Sequence, residues 1–308
     1  MKSASARPLQ ETSSTLLKAL GVEPYLEFRY TETVGTLPIH CEVFEHDPQA
    51  PLLIFLPGIS TYAALYAALL FHLQREGFNV VGVDLRGHGH SGGERGAYRV
   101  EEVIGDVGHV IDHFTTRFAG PVLLFGYSIG APLALATAER DERVEALLCH
   151  TLLVSEHAPD LLHLWGWHWL QHASFFFPHL HLPLQRLFHL QDLIPERRFR
   201  RLVAEDPLLV THYPIATLAS VLNRRSRIMR EQCHFRAGIV TGEEDELVPL
   251  DYLERVVEKA VHPLDLTVIP GGNHMIPFWE PERLAKIAAD WFRDSADSTH
   301  PAVTSATG

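Results

Sequence analysis

A chain of 308 residues has room for one large α/β domain or two small ones, and a hydrophobic content of 46% fits an ordinary globular core. The formal net charge is −12, and no long run of Lys or Arg offers a basic patch, which argues against a nucleic-acid partner. Cys41, Cys149 and Cys233 are widely separated and lack metal-ligand spacing, so they read as small buried hydrophobes in a reducing compartment rather than as a disulfide framework.

The opening MKSASARPLQETSS is polar and has no apolar leader core, which makes the cytoplasm the default expectation. Residues 1–24 and 294–308, rich in Ser, Thr and Ala, read as partly disordered tails. Tyr25–Glu32 and Leu37–Glu45 read as an opening hairpin. PLLIFLPG is a short apolar run stopped by Pro57 and Gly58, as expected of a strand buried on both faces. A helix follows over Tyr62–Glu76, then the strand FNVVGVDL, a helix over Arg99–Phe118 and the strand VLLFGY. Another helix starts near Ser128 and leads to the strand VEALLCHT. Beyond residue 232, the strands FRAGIVTG and LDLTVIPGG flank a helix near Leu250–Ala260, and a last helix behind Pro281 runs to about Asp294.

This alternation predicts an α/β fold: a mostly parallel sheet with helices on both faces, built from residues 25–151 and 233–293. Residues 152–232 interrupt it. They are rich in Leu, His, Trp and Phe and turn basic at Glu196–Arg201 and Asn223–Arg230, the signature of an inserted helical lid. Leu161–Gln185 contains no Lys, Arg, Asp or Glu, but its five histidines and two prolines exclude a membrane span.

Gly126-Tyr127-Ser128-Ile129-Gly130 matches G-x-S-x-G between a strand and a helix. There, small residues let the two elements approach and push a strained serine out at the carboxyl edge of the sheet. A serine hydroxyl needs a base, and the base needs an orienting acid. In this architecture the chain order is Ser, acid, His. Asp245 follows a strand in IVTGEEDELVP, with Glu243 and Glu244 as rivals for the acid. His274 follows the last strand behind two glycines in VIPGGNHMIP. Both lie where sites on open α/β sheets collect.

Leu56-Pro57-Gly58, Asp84-Leu85-Arg86-Gly87-His88-Gly89-His90-Ser91, the serine pentapeptide, Thr241-Gly242-Glu243-Glu244-Asp245 and Gly272-Asn273-His274 stand in one order along the chain. In this the chain resembles the α/β-hydrolases with an inserted lid, nearest to the monoacylglycerol lipase and lysophospholipase-like group. The resemblance covers residues 25 to 293 outside the lid. It implies an oxyanion hole made by the backbone N–H groups of Ile59 and Ile129. Many relatives have His-Gly where this chain has Pro57-Gly58, so a side chain that helps shape the hole is absent. His88 and His90 read as structural.

The expected function is a serine hydrolase that cleaves carboxylic esters of medium or long acyl chains, such as monoacylglycerols or lysophospholipid-like molecules, through an acyl-enzyme. No cofactor and no metal are expected. A peptidase, an acyltransferase or a non-catalytic binding protein on the same fold are the alternatives. Trp165, Trp169 and Phe176 in the lid are the candidate substrate-binding residues. They would either pack a helical subdomain or form an apolar wall for an acyl chain, with transient membrane-surface contact as a further expectation.

Overall fold

A computed structural model describes residues 15–184 and 197–297. Eight strands form one sheet in the order β1-β2-β4-β3-β5-β6-β9-β10. They are β1 (Tyr30–Val34), β2 (Ile39–Phe44), β3 (Leu52–Leu56), β4 (Asn79–Val83), β5 (Val122–Tyr127), β6 (Val144–His150), β9 (Arg236–Gly242) and β10 (Leu264–Ile269). The β1–β2 and β2–β4 pairs are antiparallel, and every other pair is parallel. The residues of β3, β4 and β5 are buried throughout, which is why LLIFL, NVVGV and VLLFGY show no polar alternation.

The helices of the core are α1 (Ala67–Arg75), α2 (Val100–Phe114), α3 (Gly130–Ala138), α7 (Leu250–Lys259) and α8 (Pro281–Asp297). One face of the sheet is covered by α1 and α8, whose Leu69, Leu73, Leu284 and Ala288 share a core with Phe55 and Phe125. The other is covered by α2, α3 and α7, where Val107, Leu133 and Leu253 pack with Ile54 and Leu124. The chain therefore has the α/β-hydrolase fold.

The start of the chain differs from its sequence reading. Residues 15–19 form a helical segment, Leu16 and Val22 are buried, and Glu23–Phe28 is a 3-10 helix rather than the first part of a strand. Pro24 near the start of that helix has its φ preset for helical geometry, and β1 begins only at Tyr30. Residues 15–24 are thus part of the body. The expectations for residues 1–14 and 298–308 lie outside the described residues.

The lid contributes α4 (Leu161–Phe176), α5 (Arg197–Glu205), α6 (Ile215–Leu222) and a two-stranded ribbon of β7 (His181–Pro183) and β8 (His212–Pro214). It is stitched to the core where α2 begins. The N–H groups of Tyr98 and Val100, which have no partner within a helix start, donate to Thr217 Oγ1 and Ser220 Oγ on α6 at 3.0 Å each. At its exit, Arg224 pairs at 2.7 Å with the buried Glu139 carboxylate at the end of α3. Among the described residues, no helix is long and apolar enough to cross a membrane.

Candidate active site

The site is assembled at the carboxyl edge of the sheet by three turns. At the end of β5 the chain reverses at Ser128, which has φ +52°, a left-handed conformation that is rare for a residue with a side chain. Its N–H donates to the His150 carbonyl across β6 at 3.0 Å, and Ala131 N–H donates back to the Ser128 carbonyl at 2.9 Å. The flanking glycines are needed for closeness. A Cβ on Gly130 would sit 2.2 Å from the Leu56 carbonyl oxygen, and one on Gly126 would sit 2.5 Å from the Gly130 carbonyl oxygen. The bare backbone at Gly130 thus lets the turn after β3 lie directly against the start of α3.

The turns after β9 and β10 meet the serine. His274 Nε2 lies 3.1 Å from Ser128 Oγ and accepts its proton, while His274 Nδ1–H donates to Asp245 Oδ2 at 2.8 Å. Asp245 Oδ1 accepts the backbone N–H groups of Leu247 and Val248 at 2.9 and 2.8 Å. Burial pushes this carboxyl up, but the hydrogen bond and charge of His274, with the Val248 N–H, outweigh it and leave the group below its ordinary value. The rivals sit elsewhere. Glu243 and Glu244 are exposed, and Glu243 Oε2 accepts Gly271 N–H at 3.0 Å, tying the two loops together. On the other side of the serine, the N–H groups of Ile59 and Ile129 have no hydrogen-bond acceptor among the described residues.

Residues 47–282 match the family model described as Serine aminopeptidase, S33. The chain belongs to this hydrolase family. Among solved structures, this hydrolase is similar to the monoacylglycerol lipase of Paleococcus ferrophilus. The TM-score is 0.65 and the identity 20%, over 83% of this chain and 99% of that one. It is also similar to a soluble variant of the monoglyceride lipase of Saccharomyces cerevisiae, with a TM-score of 0.69 and 14% identity over 88% and 96% of the two chains. A local similarity to epoxide hydrolase B of Mycobacterium tuberculosis reaches 34% identity over 90 residues. That segment is 29% of this chain and 24% of that enzyme.

A cavity of about 420 Å³ opens over the serine of the hydrolase. Ser128, His274 and Ile59 stand in its wall beside Leu65, Phe199, Val203, Phe278 and Trp279. Leu16 and Leu20, from the segment read as a tail, also line it. The lid supplies this wall through α5 together with Leu184, Leu209 and Thr211, and not through the described side chains of α4. Trp165, Trp169 and Phe176 are 75%, 56% and 71% exposed and do not line the cavity, so the structure corrects their assignment as substrate-binding residues. Only Trp167 and Leu170 among the described side chains of α4 are buried, where the helix packs on α6. His168 and His172, four residues apart on α4, are both exposed, and His172 Nδ1–H donates to the His168 carbonyl at 2.7 Å.

Three tyrosines that no sequence motif marks hold the site. Tyr127 O–H donates to the His274 carbonyl at 3.0 Å. The Tyr66 hydroxyl accepts Gly58 N–H at 3.3 Å and lies 2.8 Å from Thr61 Oγ1. Tyr213, on β8 of the lid, accepts Ser60 N–H at 2.8 Å and donates to Nε2 of the buried His88, whose Nδ1–H donates to the Arg86 carbonyl at 3.0 Å. Burial pushes His88 down to about 4, which keeps it neutral and able to take both roles. His88 is therefore structural, and it fixes the loop that carries Ile59. Tyr127 carries one local signal, since it adjoins Ser128 in the glycine-bounded pentapeptide. Tyr213 is 153 residues from Ser60, and nothing local announces that contact.

Proposed function

We propose that this hydrolase cleaves carboxylic esters of medium or longer acyl chains through an acyl-enzyme on Ser128. The observation that supports it is the continuous hydrogen-bonded chain from Asp245 through His274 to Ser128, opening on an apolar cavity. Neutral His274 takes the Ser128 proton through Nε2 as Oγ attacks the ester carbonyl, and Asp245 stabilises the imidazolium that forms. Charge on the carbonyl oxygen is met by the Ile59 and Ile129 N–H groups, each worth about 3 kcal/mol of barrier on the usual scale of such donors. The imidazolium then protonates the leaving alcohol, and a water repeats the sequence to release the acid.

The lining favours an acyl chain over a peptide amino terminus. Among the described residues of the cavity wall there is no Asp or Glu, and the one charged side chain is Arg200, so an ammonium group would find no counter-ion. The outward aromatic face of α4 suits the same substrate class in a second way, as a patch that meets a lipid surface where such esters collect.

The test is a series of p-nitrophenyl and glycerol esters, together with labelling by a fluorophosphonate. Labelling at Ser128 and kcat/KM rising with chain length are expected. Failure to label, or a preference for aminoacyl amides over every ester, would overturn the proposal.

A further inference from the structure

The hydrogen-bonded chain at the site uses one histidine, and a second lies against it. His150 ends β6, paired with Tyr127 on the strand that leads to Ser128 and with Val240 on the strand that leads to Asp245. It is fully buried. Its ring lies 5.0 Å from the Tyr127 ring and meets the His274 ring nearly edge-on, 5.7 Å between centroids. One ring nitrogen of His150 lies within 4.8 Å of a carboxylate oxygen of Asp245 and of a ring nitrogen of His274. Beyond its own backbone, neither nitrogen of His150 has a hydrogen-bond partner among the described residues.

A neutral imidazole carries one N–H donor, and leaving a buried donor unmade costs about 1–3 kcal/mol that an apolar side chain would not incur. A persistent unpaired group in a buried site therefore calls for a role. Burial, aided by the charge of His274, pushes His150 down to about 3, so it is neutral whenever His274 is a working base. The titratable groups that face it are Tyr127 from β5, Asp245 from the turn after β9 and His274 from the turn after β10. Tyr127 O–H is engaged with the His274 carbonyl, and the two nitrogens of His274 are engaged with Asp245 and Ser128. The carboxylate has acceptor capacity left. Its Oδ1 takes two backbone N–H groups, whereas Oδ2 takes His274 alone.

We propose that His150 is a positioning residue, whose ring N–H turns onto Asp245 and fixes the plane in which that carboxylate holds His274. The proposal rests on the Ser128–His274–Asp245 reading above. His150 exchanges no proton in the reaction. As a second side-chain donor on the carboxylate it also competes with His274 for its charge. Removing it should leave His274 looser and more easily protonated.

His150→Leu removes the donor at similar volume, and His150→Asn and His150→Gln restore an amide N–H at the two ring-nitrogen positions. With active sites counted by fluorophosphonate titration, His150→Leu should lose roughly tenfold in kcat with little change in KM. The acid limb of its kcat/KM profile should move to higher pH by about half a unit. At least one amide variant should recover most of both changes. In the intact wild-type protein, the proton NMR spectrum should show a downfield His150 ring N–H that moves in Asp245→Asn, a readout independent of whether the Leu variant folds. Equal acid limbs in the Leu and amide variants, or a His150 N–H signal indifferent to Asp245→Asn, would overturn the proposal. If Ser128→Ala kept its activity, the underlying triad reading would fail instead, and the two failures are told apart by that variant.

Discussion

The carboxyl edge of the sheet and the lid above it differ in how far local sequence dictates where their side chains go. At the edge, each reactive side chain sits on a turn with a strict local demand. Ser128 needs small neighbours on both sides, because Gly130 touches the chain after β3 and Gly126 touches the start of α3. In the lid, composition announces apolar surface without saying where it goes. The apolar helix and the basic one do opposite things: α4 turns most of its described aromatic side chains to water, while α5, with its four arginines, supplies Phe199 and Val203 to the cavity. Hydrophobic content states what would gain from leaving water, and only periodicity and partners state which surface receives it.

Breaking the edge should have the largest effect. Ser128→Ala is expected to cost on the order of a millionfold in turnover, and Asp245→Asn about ten-thousandfold, with the fold retained. Glu243→Gln, which keeps an oxygen able to accept Gly271 N–H and removes only an exposed charge, should stay within a few-fold of wild type. Initial rates on one soluble ester, normalised to the concentration of folded protein, check all three. A Glu243 variant as damaged as Asp245→Asn would place the acid elsewhere.

Much of this edge was legible. G-x-S-x-G between a buried strand and a helix, an acid after one strand and a histidine after the last are local patterns, and the sheet brings them together by topology alone. The tail at residues 15–24 and the wall of the cavity were not legible, for one shared reason. Leu16, Leu20 and Phe199 are short apolar insertions in polar sequence, and their burial depends on surfaces built elsewhere in the chain. A weak sign existed for α5: Phe199, Leu202 and Val203 are spaced i, i+3, i+4 within RRFRRLVAE, a narrow apolar stripe on a basic helix.

Each CH₂ of substrate buried in the cavity contributes about 0.8 kcal/mol, or roughly fourfold in kcat/KM, until the space is filled. Val203→Trp should cap that rise at shorter chains by tens of fold for the longest esters. Trp165→Asn and Phe176→Asn should leave soluble esters unchanged and weaken sedimentation with phospholipid vesicles. A chain-length profile flattened by Trp165→Asn and untouched by Val203→Trp would reverse the two surfaces.

One lid residue belongs energetically to the edge. Tyr213→Phe removes a single oxygen and leaves Ser60 N–H and buried His88 without their shared partner, a loss of roughly 1–3 kcal/mol per group. Because Ser60 adjoins Ile59, kcat should fall about tenfold as the donor drifts, with KM little altered. Thermal unfolding and steady-state kinetics on the same preparation check this. A stability loss with intact kcat would make the contact a fastening of the lid alone.

The smallest effect is on stability against acid, and it too belongs to the edge. Burial holds His88 down to about 4, and burial with the nearby His274 holds His150 to about 3, whereas an unfolded imidazole titrates near 6.5. Between those values the unfolded chain binds more protons, so stability falls as pH drops below about 6.5. By pH 5 this amounts to about 2 kcal/mol for each histidine. Asp84 works in the opposite sense: burial pushes it up to about 6, so the folded state takes its proton first and gains stability as pH falls below that value. Asp245 is held low and adds its own loss only at more acid pH. Burial also lowers His90 and His157, whereas at His40 burial is outweighed by the hydrogen bond to Glu42 and by nearby carboxylates, which raise it. The losses still outnumber the gains, and His150→Asn should remove one of the losses. The drop in Tm between pH 7 and pH 5 should then shrink by a few degrees relative to wild type. An unchanged drop would mean that the His150 ring is protonated or hydrated within the fold, and the edge would be wetter than its packing indicates.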